Sequence, residues 1–209
     1  MIGVSEFLPR FVTDFATAMQ EVDRDRPVAV RSGEKGEFRA GIGPHPEDAG
    51  VEMCVQRMAT TAPLQYGQHA RSVAYPDGSR TKCDLCFGKG PAWDWAIEVK
   101  LLRFLGDNGK QNGNMLMHIL SPYPQDRSAL TDCSKLARAP IATHKAIVIF
   151  GYEHREWPLE PAIAAFELLA ARQVELGPRH TAETGPLVHP VHDAGRVFGW
   201  QIIGSSTGP

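Results

Sequence analysis

Residues Cys83–Lys100 read CDLCFGKGPAWDWAIEVK. Two strand-like runs flank a Gly88-Lys89-Gly90-Pro91 turn, and side chains alternate in direction along each run. On the second run Asp94, Ala96, Glu98, Lys100 and Leu102 share one face, while Trp95, Ile97, Val99 and Leu101 form an apolar face. Glu98 and Lys100 therefore project together, about 7 Å apart along the strand. On the first run Asp84 and Cys86 share a face, opposite to Cys83, Leu85 and Phe87. A turn centred on Pro91 places Asp84 across from Glu98, and directly paired residues project to the same side. A slip of one residue would destroy this alignment.

Two facing carboxylates supply hard oxygen ligands for Mg²⁺ or Mn²⁺. Such an ion lowers the pKa of a bound water and neutralises charge on a phosphodiester oxygen. Lys100, beside it, can orient or help deprotonate the attacking water and offset developing charge. Glu52, on a helix expected to pack behind the strands, adds a candidate metal ligand, a role that Glu47 or Asp48 can equally fill. The competing reading is a solvated sheet face whose cross-strand ion pair contributes under about 1 kcal/mol.

Outward from this hairpin, Gln68 to Tyr75 reads as a preceding strand closed by Pro76-Asp77-Gly78, which makes Gln68 to Phe104 a three-stranded meander. Pro46 to about Thr61 reads as a helix, with Val51, Cys54, Val55 and Met58 on one side. Ser5 to Asp23 reads as another, capped by Ser5. The segment between them is rich in Gly, Pro and charge, with Val28 to Val30 as a short strand at most. After the meander, Asn108 to Asn114 is a glycine-rich loop, and Met115 to Leu120 is a strand extension or buried loop. Asp126 to Ala139 is a helix with Asp126 as its cap. Lys145 to Tyr152 (KAIVIFGY) suits a strand buried on both faces. Leu159 to Leu176 reads as a helix, Val188 to His192 is ambiguous, and Arg196 to Ile203 is a final strand followed by a frayed tail, Gly204 to Pro209.

The 209 residues, 43% hydrophobic and 22% charged, suffice for one domain with a sizeable core. No apolar run approaches the roughly 20 residues that span a bilayer, and the first residues lack the pattern of a signal peptide, so a cytoplasmic protein is expected. A net charge of −2 announces no global basic field. Basic residues nevertheless gather near the hairpin: Arg80, Lys82, Lys89, Lys100, Arg103 and Lys110. Cys54, Cys83, Cys86 and Cys133 make no disulfide framework and read as reduced thiols. Cys83 and Cys86 are expected on opposite faces, which argues against a shared zinc ion. His189 and His192, close in sequence to Asp193, read as surface or cap residues, although a metal role is conceivable for them.

An acid on one strand followed by Glu-x-Lys on the next, in the order α-β-β-β-α-β, resembles the PD-(D/E)xK nuclease superfamily. The matching residues are Asp84, Glu98 and Lys100, and the resemblance covers about residues 46–152. The proline of the family name is absent, since Cys83 precedes Asp84. The resemblance implies an α/β (α+β) fold with a mixed sheet and a restriction-endonuclease-like core. Residues 1–45 would be a helical extension and loop, and residues 153–209 would add a helix and a strand. It further implies Mg²⁺- or Mn²⁺-dependent cleavage of nucleic acid, DNA before RNA, in restriction, repair or defence. Asp84, Glu98 and Glu52 would be ligands, Lys100 the catalytic lysine, and Lys82, Lys89, Arg103 and Lys110 contacts to the polymer. Cutting both strands would call for a homodimer or partner subunit. The alternative is a non-catalytic binding or regulatory protein on the same scaffold.

Overall fold

The structure, a computed structural model, describes residues 4–30, 36–78 and 80–205. Its elements run α1 (Val4–Arg24), α2 (Glu47–Thr61), α3 (Pro63–Tyr66), β1 (His69–Ala74), β2 (Lys82–Phe87), β3 (Trp93–Leu102), α4 (Met117–Leu120), a 3-10 turn (Pro124–Asp126), α5 (Ala129–Arg138), β4 (Ala142–Tyr152), α6 (Glu160–Ala170), β5 (Val174–Leu176), β6 (His180–Thr184) and β7 (Gly195–Ser205). Seven strands form one mixed sheet in the order β1-β2-β3-β4-β7-β5, with β6 also paired to β7. The architecture is α/β. Among the described residues no helix is long and apolar enough to cross a membrane.

The meander forms as expected: β1 and β2 are antiparallel, and so are β2 and β3. Parallel strands need a long crossover, and the chain supplies it through α5, so that β4 returns parallel to β3 over nine residue pairs from Trp93↔Ala142 to Leu102↔Gly151. The β-branched run of β4 is buried between β3 and the antiparallel β7, as its continuous apolar character requires.

Two cores lie on opposite faces of this sheet. On one, Phe11, Phe15 and Met19 of α1 and Val51, Val55 and Met58 of α2 pack against Leu85, Phe87, Trp95, Ile97, Val99 and Leu101. On the other, Leu130, Cys133 and Leu136 of α5 and Ile163 and Phe166 of α6 pack against Cys86, Ala96, Ile147, Ile149 and Trp200. The apolar face expected for β3 is thus the α1–α2 side. Helix α1 belongs to that core and is no appendage. It begins at Val4, so Ser5 falls inside it instead of capping it.

Several expectations are corrected. The helix expected over 159–176 stops at Ala170 and gives way to β5, while β6 appears where no element was expected. Residues 117–120 are one helical turn. Val30 makes only an isolated bridge to Glu37. Ser128, and not Asp126, caps α5, its side chain accepting the Thr131 N–H. His189 and His192 are fully buried, with rings stacked 4.7 Å apart. They lie under the chain at Gly41 and Gly43, where a Cβ on Gly43 would strike the His192 ring. Desolvation there pushes the His192 pKa down to about 3. All four cysteines are free and buried. Cys83 and Cys86 share the α5-side core, and not opposite faces. Regular alternation fails at the intervening Asp84, whose neighbour on β1, Ser72, has a φ of 52° and drops out of the ladder. The last four residues of the expected tail lie outside the described residues, and β7 continues through Ser205.

Beyond β7, β5 and β6 follow one another along a single edge. β4 occupies the inner edge of β7 as far as Gln201, whose carbonyl accepts the Gly177 N–H just after β5. β6 then pairs with residues 195–199.

Candidate active site

Strand β3 outruns its partner. Its pairing with β2 ends at Leu85↔Ile97, and the next step along that register sets Asp84 across from Glu98, as the turn had suggested. Beyond this point the β3 amides on that edge have no strand to meet, and buried backbone N–H groups require partners. Carboxylates supply them. Asp84 Oδ2 accepts the Val99 N–H at 2.8 Å, and Glu47 Oε2, from the first turn of α2, accepts the Leu101 N–H at 2.6 Å. The backbone of one strand thereby draws two acids from two other elements to its side.

Glu98 is the most deeply placed member, 1% exposed. Its Oε1 accepts the Tyr75 hydroxyl at 2.6 Å and faces Lys135 Nζ at 2.8 Å. Burial first, then the nearby charges of Asp132 and Asp84, push the Glu98 pKa well above the carboxylate range. Lys100 Nζ lies 2.8 Å from Asp132 Oδ2 and 3.9 Å from Glu47 Oε1. Burial alone would lower its pKa, but Asp132 and Glu47 outweigh this and raise it above the ordinary lysine value. Asp132 and Lys135, one turn apart on α5 and 2.8 Å from each other, close the cluster from above the sheet. Glu47 is pushed up to about 7 by burial, against the pull of Lys100 and the Leu101 amide.

The cluster floors a cleft of about 720 Å³ whose walls carry Arg80, Lys82, Arg103, Met115, His118, Asp126 and Arg127. An adjoining cleft of about 560 Å³ shares Pro46 and Arg103 and is otherwise lined by the loop at Gly106, Asp107, Asn108 and Asn112 and by Ala29, Val30, Phe38 and Pro44.

The expected site residues divide cleanly. Asp84, Glu98, Lys100 and Lys82 meet at the cleft. Glu52 does not: it is 51% exposed and pairs with Arg71 at 2.7 Å, with Gln56 on its other oxygen. Glu47, one of the two alternatives to it, holds the position on α2. Lys89 lies in the β2–β3 turn, at the far end of β2 from Lys82, and Lys110 lies in the loop after β3; neither lines this cleft. Arg103 lines it, but its guanidinium serves the chain, donating to the carbonyls of Gly43 and His45. With Asp23, which accepts the Ile42 and Val188 amides, it fixes the entry to α2 and hence the placement of Glu47. From the sequence, Ser128, Asp132 and Lys135 share one side of their helix, with reach into the site and a solvated face as the two open readings, and Tyr75 is not singled out. The i, i+3 spacing of Asp132 and Lys135 on an otherwise apolar helix face was the available signal.

The donor set suits a hard divalent cation in chemistry and in charge. Glu47, Asp84, Glu98 and Asp132, set against Lys100 and Lys135, leave two negative charges uncompensated when all are ionised. The geometry is not assembled for one: among the described residues no group of three or more His, Cys, Asp or Glu side chains is arranged to hold a metal ion. Both lysine ammonium groups stand against the carboxylates instead. Compared with known proteins, the chain matches no family model, no curated protein and no solved structure.

Proposed function

We propose that the chain is a metal-dependent nuclease of the PD-(D/E)xK type, hydrolysing phosphodiester bonds with Mg²⁺ or Mn²⁺. The observation that carries this reading is the convergence of Asp84, Glu98 and Lys100 with Glu47 at the floor of one cleft. The element order α2-β1-β2-β3-α5-β4, with β4 parallel to β3, supports it. Energetics point the same way. Buried ion pairs are poor stabilisers, since desolvation commonly matches the Coulombic gain. A cluster in which burial drives the pKa values of Glu47 and Glu98 upward is therefore better understood as retained for chemistry than for folding.

In this reading Asp84 and Glu98 present oxygen ligands, with Glu47 as the auxiliary acid in place of Glu52. The cation, when bound, lowers the pKa of a water and neutralises charge on the scissile phosphate. Lys100 acts as a cation and not as a base, because Asp132 and Glu47 keep it protonated at neutral pH. Its ammonium orients the attacking water and offsets charge in the transition state. Arg80, Lys82, His118 and Arg127 offer a positive or polar rim for the phosphate backbone. DNA is the favoured polymer, and cutting both strands would take a second copy or a partner subunit.

The test is cleavage of labelled single- and double-stranded DNA and RNA in Mg²⁺ or Mn²⁺. Activity should vanish with EDTA and fall by at least about 100-fold in Glu98→Gln and Lys100→Ala. Wild-type protein that is inert on every polymer and takes up no Mn²⁺ would replace this reading with a binding or regulatory protein on the same scaffold.

A further inference from the structure

The two lysines of the cluster are held differently. Lys100 rises from the middle of the sheet, is only 12% exposed, and is fixed between Asp132 and Glu47. Lys135 comes from the last turn of α5, is 22% exposed, and stands at the lip of the cleft. Its Nζ lies 2.8 Å from both Glu98 Oε1 and Asp132 Oδ1, and 4.8 Å from the centre of the Tyr75 ring. Tyr75 donates to the same Glu98 oxygen, so Oε1 is fully engaged. Lys135 thus takes up a carboxylate oxygen that a ligand of a divalent cation would need.

We infer that Lys135 is an exchangeable counter-ion. It holds Glu98 and Asp132 while the cluster lacks a metal, and it gives up Glu98 to a divalent cation and swings into the cleft toward the anionic substrate. This rests on the reading of the cluster as a metal site. The exchange follows from charge. An ammonium and a divalent cation cannot share one carboxylate oxygen without strong repulsion at the short separations involved. Both lysines line the cleft, and Lys135 is the more exposed of the two, 22% against 12%. Once displaced, it joins Arg80, Lys82 and Arg127 on the cleft wall, where a compact ammonium suits a phosphate oxygen. Substrate recognition is then coupled to metal loading: the cleft gains a cation only after the site has gained its ion.

The sign of one measurement decides this. Mn²⁺ affinity of the full, EDTA-stripped chain is read from free Mn²⁺ by electron paramagnetic resonance for wild type, Lys135→Met and Lys135→Arg. Removing a competing counter-ion should tighten Mn²⁺ binding at least about tenfold in Lys135→Met, and the charge-retaining Lys135→Arg should stay within about threefold of wild type. Equal or weaker binding by Lys135→Met, with wild type still taking up Mn²⁺, overturns the exchange and leaves the nuclease reading standing. Failure of all three proteins to bind Mn²⁺ overturns both. Wild type supplies an independent readout should the variant not fold. The Lys135 ammonium resonance, assigned through its side-chain carbons and protected by its partners without metal, should broaden into solvent exchange on Mg²⁺ titration while that of Lys100 persists. A Lys135 signal unchanged at saturating Mg²⁺ refutes the exchange.

Discussion

Glu47 gives the sharpest test of how the cluster was built. A carboxyl that holds its proton more tightly in the folded chain than in the unfolded one favours folding in acid. That contribution is present below the unfolded pKa and is lost as pH rises toward the folded one. Here the window runs from the ordinary value of 4.5 to about 7. Without solvent, such a displacement is worth about 3.4 kcal/mol. The Glu47 side chain keeps 37% of its exposure, so screening reduces the effect to about 1–2 kcal/mol. The assay is urea denaturation of wild type and Glu47→Gln in EDTA at steps between pH 4 and 8. Glu98 also titrates upward, and both proteins share that background. The difference between the two curves should therefore isolate Glu47: wild type loses about 1–2 kcal/mol relative to the variant between pH 4.5 and 7, and the difference is flat above. Parallel curves across that window, or a wild type that gains relative stability with pH, would refute burial as the force that governs Glu47.

Three further outcomes are expected. In Asp132→Asn, Lys100 loses its nearest counter-charge and its pKa drops, so the alkaline limb of the Mn²⁺-dependent pH–rate profile should move to lower pH; a limb identical to wild type would show that Lys100 does not depend on Asp132. Glu52→Gln and Lys89→Ala, placed away from the cleft, should leave cleavage within about twofold of wild type in steady-state assays, whereas Glu47→Gln should lower it by at least about tenfold. Phe11→Ala empties the centre of an aromatic group in which Phe11 lies 5.7–6.2 Å from Phe7, Phe15, Tyr66 and Phe87; chemical denaturation should register a loss of about 3–5 kcal/mol.

The hairpin was legible because strand alternation and a turn are short-range rules: the register of Asp84 against Glu98 needed nothing beyond residues 83–100. The buried run of β4 was legible from its unbroken apolar character. Choosing between Glu47 and Glu52 was not possible, because the choice is made by the Leu101 amide, a backbone donor freed only when β2 stops short of β3. For Asp132 and Lys135 the sequence leaves reach into the site and a solvated face equally open until α5 is laid over β3, and that packing is a property of the parallel crossover. The shared face of Cys83 and Cys86 was hidden for a similar reason: strict alternation presumes an unbroken ladder, and Ser72 breaks this one. His189 and His192 look polar in sequence, yet the loop at Gly41 and Gly43 closes over them.

The interrupted margins of the sheet bear on how the chain behaves when concentrated. At one margin, Ser72 breaks the run of β1. At the other, β5 of three residues and β6 of five are separated by Gly177-Pro178-Arg179, and Pro178 has no N–H to offer. Neither margin presents the long, flat row of free donors and acceptors that templates growth by strand addition. A seven-stranded sheet with so many β-branched residues would otherwise be a candidate for fibrillar assembly, and these two breaks guard against it.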